Sequence, residues 1–450
     1  MPPRAFHSIP SPREIPFVGS VHRRFRSPLN FFEELKRNFG DAARFSLFNE
    51  RFILFSDPAL VNEVLVTKQN SFRKGKALEG ARQFLGNSLL VSEGEEHTRQ
   101  RRLIQPAFHR GRIAGYAQVM AEKARLWTEA RRADEEIDLA VEMNRLTLAV
   151  VAATLFGSEV DAEARDIAES LTVIIENFNR MLLPLWRFVQ RLPTAANRRL
   201  REAHLRLDAT IYRLISQRRR EGRDHGDLLS MLLAAEDAEN PQKRLTDVEV
   251  RDQAMTLFLA GHETTANALA WTWHLLTKHE AVRAKMKEEI DAVLGADRPP
   301  GLDDTARLPY TTAVLSESMR LFPPVWVVGR RALVDVTIGD YEVPRRTIVI
   351  TSQYIIHRDE RFWPNPLEFR PERWLDEKAQ AARPKFAYFP FGGGGRICIG
   401  DAFAWTEGVI LLAVMARRWR FEAVPGPAVE INPTVTLRPK HGLKMTARTA

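Results

Sequence analysis

A single cysteine, Cys398, stands among 450 residues. No disulfide can form within the chain, so the fold must come from buried apolar surface alone, as suits a reducing compartment. Hydrophobic residues make up 44% and charged residues 27%, the balance of a soluble globular protein rather than a disordered or fibrous one. The N-terminal stretch MPPRAFHSIPSPREIPFVGS, residues 1–20, is Pro-rich and lacks the apolar core of a signal peptide. Uncharged runs such as LTLAVVAATLFGS from Leu146 fall short of the roughly 18 apolar residues of a membrane span. A cytoplasmic protein with no transmembrane anchor is therefore expected. The net charge of +9 invites a nucleic-acid reading, yet the basic residues are interleaved with acids (RRADEE, RRREGRDHGD) and form no binding module. No nucleic-acid partner is expected, although a local basic face for an acidic protein remains open.

Short β-prone runs (ARFSLF, RFILFS) and helical ones (NFFEELKRNFG, DPALVNEVLVTK) share the first hundred residues. From about Pro106 to Leu294 apolar or small residues recur at three and four, as in Ala254, Leu257, Phe258 and Gly261, which predicts helices. After Glu317 the chain turns Pro-rich and alternating (PPVWVVGRRALVDVTIGDYEVPRRTIVI), which predicts short strands. A last helix, DAFAWTEGVILLAVMARRW, follows the cysteine, and strands close the chain. With no repeat or low-complexity linker, the expectation is one mostly helical α+β globule over residues 1–450, with a small β-rich lobe.

The cysteine lies in FPFGGGGRICIG, Phe389 to Gly400. Four glycines permit positive φ and close backbone approach, as a loop packed against something flat or bulky requires. A phosphate cradle would need a following Gly-Lys-Ser/Thr, which is missing. A helix begins just after Cys398, and free N–H groups at a helix N-terminus favour a thiolate, either as an iron ligand or as a nucleophile.

Phe391, Gly394, Arg396, Cys398 and Gly400 resemble the haem-binding loop of the cytochrome P450 family, Phe-x-x-Gly-x-Arg-x-Cys-x-Gly. The resemblance implies haem b (iron protoporphyrin IX) with Cys398 as its axial thiolate, which favours O–O cleavage. In ESMRLFPP, Glu317 and Arg320 stand at i and i+3. By itself this spacing describes a surface pair contributing ~0.2–0.5 kcal/mol. Family members tie the pair to an arginine in a later PER segment, here Arg373 of FRPERW, as a structural network holding the cysteine loop.

The run LFLAGHETTANALAWTW resembles the family's distal-helix motif. Gly261 inside a helix costs ~1 kcal/mol and so needs a reason, either close helix packing or room for a ligand. By resemblance Gly261 would leave space for O2, Thr264 would hydrogen-bond the bound oxygen, and Glu263 would relay protons from solvent. His262 reads as a packing or solvent-side histidine rather than a ligand. Haem propionates need cationic or donor partners; the resemblance offers Arg396, Arg330, Arg101 and His97, the last where the family pattern has tryptophan. Substrate contacts are drawn from Val325 and Val327, taken as alternating on a strand after Pro324, from Phe258, Leu259 and Ala260, and from Phe84 and Leu85 in a roof loop. The apolar patch MLLPLW from Met181 would line an access channel or touch a membrane.

The implied reaction is insertion of one oxygen atom of O2 into a C–H bond or alkene of a hydrophobic small molecule: a fatty acid, terpenoid, steroid or other natural product. No flavin or iron–sulfur segment is left over, so electrons would come from NAD(P)H through a ferredoxin or flavodoxin and its reductase. Arg99, Arg102, Arg110 and Arg112 would form the basic docking patch of a monomer of the soluble bacterial kind. Alternatives are a peroxide-driven or rearranging haem-thiolate enzyme, a non-catalytic haem-binding protein, and a hydrolase with Cys398 as nucleophile, which needs a histidine base within reach.

Overall fold

A computed structural model of the chain describes residues 3–157, 170, 173–174, 177, 189–237, 240–295 and 298–450. Its principal elements are the helix α1 (Pro28–Phe39), strands β1 (Ala42–Leu47), β2 (Glu50–Phe55) and β3 (Phe72–Lys74), helices α2 (Lys76–Leu85), α3 (Gly94–Ile104), α4 (Arg110–Glu129), α5 (Leu139–Phe156), α6 (Ala195–Glu221), α7 (Asp247–Leu276) and α8 (Pro309–Leu321), strands β4 (Val328–Ala332) and β5 (Ile348–Thr351), and the helix α9 (Asp401–Arg418). Helices dominate and the sheets are small, the mostly helical α+β class that the periodicities predict. The chain divides into two compact units, the first built from Met1–Lys76, Ser316–Cys398 and Ile431–Arg438, the second from Ala77–Leu315, Ile399–Glu430 and Pro439–Ala450.

The first unit carries a five-stranded sheet in the order β1-β2-β5-β4-β3. Only the β2–β5 pairing is parallel, with Ile348 opposite Phe52 and Thr351 opposite Phe55. Alternation along β2 buries Ile53 and Phe55 against Val349, Val61 and Val64 on one face. The intervening Leu54 joins Phe31, Phe32, Phe45 and Trp326 on the other. Pro28 begins α1 and Gly40, at φ 80°, ends it, a placement that follows from proline's fixed φ and glycine's tolerance of the left-handed region. The strand predicted to carry Val325 and Val327 starts only at Val328. Trp326 is turned inward instead, its indole donating to the Thr434 carbonyl at 3.0 Å.

Helices build the second unit. A reciprocal capping box starts α7: the Glu249 N–H donates to Thr246 Oγ1 at 3.2 Å and the Thr246 N–H to Glu249 Oε2 at 2.8 Å. Thirty residues then run to Leu276. Its main partner is α5, and Gly261 marks their close approach, since a Cβ there would stand 3.1 Å from Val151 Cγ2. Helix packing is thus sufficient reason for this glycine. By length and composition α5 could cross a membrane, contrary to the expectation that no segment reaches that length. The helix extends N-terminally past the uncharged run to Leu139, with only Glu142 and Arg145 as charges. Yet 67% of it is buried, as in the core helix of a packed domain.

Candidate functional site

The cysteine loop belongs to the first unit. Gly392 and Gly394 adopt φ 76° and 67°, values that side-chain-bearing residues rarely reach. Close packing adds a second restriction. A Cβ on Gly393 would lie 2.5 Å from the Phe386 ring, and one on Gly394 would lie 1.8 Å from the Leu65 carbonyl oxygen. The Gly395 N–H donates to Gln69 Oε1 at 2.7 Å, and Arg396 donates to the Phe72 carbonyl at 3.1 Å. The turn closes where the Cys398 N–H meets the Phe391 carbonyl at 3.0 Å. Backbone and side-chain ties thus fix the loop while the Cys398 side chain remains exposed. Arg330, on β4, is buried, with one guanidinium nitrogen on the Gly329 carbonyl at 3.1 Å.

Behind this loop lies a buried ionic network. Arg320 clasps Glu317 bidentately at 2.8 and 2.9 Å. Arg373 Nε and the Trp374 indole each donate to the same carboxylate at 2.9 Å. Glu317 and Arg320 have no exposed side-chain surface, so every polar atom needs a partner. Arg320 supplies the rest by donating to the carbonyls of His357, Pro366 and Glu368. His357 is held well below its ordinary pKa, first by burial and then by the Arg320 and Arg358 cations. Its neutral ring accepts the Phe389 N–H at 3.0 Å, which joins the network to the first residue of the cysteine loop. The sequence readily suggests the Glu317–Arg320 spacing; Trp374 and His357 gave no comparable local signal.

In the second unit, Leu257, Ala260, Gly261 and Thr264 keep accessible surface in the middle of the otherwise buried α7. Spacings of three, one and three put them on one face. The stripe is apolar apart from the Thr264 hydroxyl, which donates to the Ala260 carbonyl at 2.8 Å. Glu263 and His262 are buried beside it. His262 Nδ1 lies 2.9 Å from the Phe258 carbonyl, and burial lowers its pKa; it is a packing histidine. A further acid escaped sequence reading. Glu407 of α9 is fully buried, neither carboxyl oxygen has a hydrogen-bond partner of good geometry among the described residues, and burial raises its pKa to about 8, with the Thr265 hydroxyl partly opposing the shift.

The other expected site residues divide. His97 is buried and Arg101 half-buried, one turn apart on α3. Arg99 is not part of a free basic patch, because it turns to Glu96 at 2.8 Å and to Glu249. Arg110 and Arg112 are more exposed, paired with Asp303 and Asp224. Of the substrate candidates, Ala260 lies on the open stripe. Phe258 is fully buried and stacked on Phe156 at 5.7 Å, and Leu85 is 2% exposed, so both are core residues. Phe84 and Leu85 lie at the end of α2 rather than in a loop, Phe84 edge-on to His204. Val325 and Val327 are half-buried, Val327 against the Trp326 cluster. The MLLPLW patch, residues 181–186, lies outside the described residues.

The family model for Cytochrome P450 matches residues 9–446. Cyclooctatin synthase from Streptomyces melanosporofaciens is 39% identical, with 95% of this chain and 93% of that protein aligned. Pentalenene oxygenase from Streptomyces avermitilis is 34% identical, over 98% and 97%. Among solved structures, the retinoic acid bound cyanobacterial CYP120A1 superposes with a TM-score of 0.88 at 26% identity, covering 98% of this chain and 99% of that one. The cytochrome P450DA heme domain gives 0.89 at 28% identity, with coverage of 100% and 99%. Extent of match, sequence identity and fold agree: the chain belongs to the cytochrome P450 family and is an oxidoreductase of the monooxygenase class.

Proposed function

We propose that this P450 hydroxylates or epoxidises a cyclic terpenoid, using haem b, O2 and two electrons from NAD(P)H delivered by a separate ferredoxin or flavodoxin and its reductase. One observation carries the choice of substrate class. Over 94% of its length the chain is 39% identical to a Streptomyces melanosporofaciens protein named cyclooctat-9-en-7-ol 5-monooxygenase. The apolar stripe on α7 suits such a compact hydrophobic molecule.

The residues present fit a thiolate-ligated haem. Cys398 offers one exposed sulfur on a tightly held loop. The open α7 stripe is a face that a flat apolar group and its substrate would cover. Haem, when bound, supplies the activation of O2 and the transfer of one oxygen atom to substrate.

The chain's own residues would do the rest. Cys398 would bind as thiolate, its charge favoured by the adjoining N-terminus of α9. Arg396, Arg330, Arg101 and His97 would receive the propionates, and Phe391, Gly261 and Gly400 would shape the contact surface. The Thr264 hydroxyl, now donating to Ala260, has lone pairs free to accept a proton and can swing its own proton toward the oxygen site. Glu263, buried one residue away, would hold and pass protons. Glu317, Arg320 and Arg373 would keep the cysteine loop in place. The protein would work as a cytoplasmic monomer, with residues 1–450 as one catalytic domain.

The test begins with the carbon monoxide difference spectrum of the dithionite-reduced protein, for wild type and Cys398→Ser. A strongly red-shifted Soret band lost in the variant supports thiolate ligation; a band unchanged in the variant defeats it. Titration of the haem spectrum with cyclooctat-9-en-7-ol, pentalenene and a fatty acid then tests substrate class. A response to the fatty acid alone would overturn the terpenoid reading.

A further inference from the structure

In the second unit, three neighbouring side chains of α7 reach across to the short segment that follows α2. The Asn87 N–H donates to Asp252 Oδ2 at 2.7 Å and the Leu89 N–H to Gln253 Oε1 at 2.9 Å. Between them the Thr256 hydroxyl donates to Ser88 Oγ at 2.6 Å. Ser88, Asp252, Gln253 and Thr256 are all buried. Polar groups inside an apolar helix cost stability unless they find partners, and these three find theirs on consecutive residues of one segment. Gly86 permits the approach, at φ 58°, since a Cβ there would stand 2.0 Å from Asp252 Oδ2.

The same segment is held from two further helices. Gln100 of α3 donates to the Asn87 carbonyl at 2.6 Å, so both polar groups of the Asn87 backbone are taken by buried side chains. Arg251 donates to Asp252 Oδ1 at 2.9 Å and to Asp208 of α6 at 2.6 Å. His204, also on α6, lies 3.1 Å from Arg251 Nη2 and 3.4 Å from the Phe84 carbonyl. The end of α2 is thereby tied to α6 and α7 through one buried arginine. Loops normally run in water with mobile backbone; this one is specified by buried contacts that fix a single conformation.

Its place gives that rigidity a use. Gln253 precedes Leu257 by four residues and Thr256 precedes Ala260 by four, so the contacts fall on the turn of α7 that leads into the open stripe of Leu257, Ala260, Gly261 and Thr264. Leu90, next after the held residues, is half-buried like Leu257, and both pack on the same core cluster. The segment therefore borders the N-terminal end of the stripe.

We propose that Asp252, Gln253 and Thr256 are positioning residues, which hold Gly86–Leu90 as a rigid border to the α7 stripe and so set the bulk of the molecule that the stripe admits. This rests on the reading that substrate lies on that stripe beside haem. A terpenoid skeleton is apolar and stiff, so the shape of such a border, more than hydrogen bonding, selects it.

The test uses the full-length haem-loaded protein and two nitrogen ligands of iron that differ in bulk, imidazole and 4-phenylimidazole, titrated by the Soret shift. The quantity read is the ratio of their dissociation constants, which needs no natural substrate. Thr256→Val and Gln253→Met should each favour 4-phenylimidazole over imidazole by about threefold or more, the scale of one lost hydrogen bond. Thr256→Ser keeps the hydroxyl and should restore the wild-type ratio. Should Gln253→Met not fold, Ser88→Ala removes only the partner of Thr256 and carries the same expectation. A purely structural role would lower the melting temperature and leave the ratio alone; that result in Thr256→Val and Ser88→Ala overturns the proposal, as does a ratio that Thr256→Ser shifts as far as Thr256→Val. Titration with cyclooctat-9-en-7-ol separates the two readings: a changed azole ratio with no response to this terpenoid defeats the substrate class and leaves the border in place.

Discussion

The His357 ring accepts the Phe389 N–H at 3.0 Å, while the His357 carbonyl accepts Arg320 at 2.8 Å. One residue therefore couples the buried Glu317–Arg320 pair to the start of the loop that presents Cys398. Replacing His357 by Phe leaves the Phe389 N–H unpartnered, at a cost of about 1–3 kcal/mol. The His357 pKa is depressed in the folded protein, so its contribution to stability is present above the ordinary histidine value of 6.5 and lost as pH falls. His357→Phe should lose that part of the acid-side decline, measured by urea unfolding at several pH values. An unchanged pH profile would remove His357 as its source.

Glu317→Gln leaves Arg320 and Arg373 facing a neutral amide inside the protein. Removing one member of such a buried pair typically costs about 3–5 kcal/mol. The expected result is a lower melting temperature and reduced haem retention per folded molecule. A variant as stable as wild type, with full haem content, would show that the network does not secure the loop.

Thr264→Ala removes the one hydroxyl on the open α7 stripe while Glu263 stays in place. NAD(P)H consumption should continue, and product formed per NAD(P)H should fall severalfold with peroxide released instead. Full coupling in this variant would withdraw the proton-handling role from Thr264.

Glu407 is raised by burial from its usual 4.5 to about 8. Between those values the unfolded carboxyl has lost its proton and the folded one keeps it, so the folded state binds more protons and stability falls as pH rises. The contribution is full below 4.5 and lost on approaching 8. Glu407→Gln preserves the shape without titrating, so the variant should gain on wild type as pH is raised from about 5 to 8. Parallel stability curves would mean that Glu407 ionises normally in the folded protein.

Arg112 is partly exposed and pairs with Asp224 across the surface of the second unit. If this patch receives an acidic electron donor, Arg112→Glu should slow haem reduction by a ferredoxin at low salt, without altering substrate binding. An unchanged reduction rate would place the donor elsewhere.

Much of the candidate site was legible from spacing. Glycines 392 to 395 announce a loop of unusual backbone, and two of them do take positive φ. Glu317 and Arg320 at i and i+3 must share a helix face, and they do. Each is a local relation, fixed by a few dihedral angles and therefore written in adjacent residues. The strand assignment at Val325 failed because a long-range contact intervened, from Trp326 to the Thr434 carbonyl. Alternation was present, but Trp326 found a deeper burial than the ladder could offer and delayed the strand to Val328.

Tertiary packing decided the rest. Phe258 and Ala260 look alike as members of one apolar helical run, yet Phe258 stacks on Phe156 and Ala260 is left open, because α5 covers one side of α7 and not the other. Arg373 and Trp374 reach Glu317 across 56 and 57 residues of sequence, and Glu407 becomes a buried acid only because neighbouring helices exclude water from it. The sequence by itself determined the long helices, the spacing of the motifs and the family, since periodicity and motif spacing are short-range. Which side chains are dry, which are open and which charges meet depend on contacts between distant segments, and those arise only when the chain closes on itself.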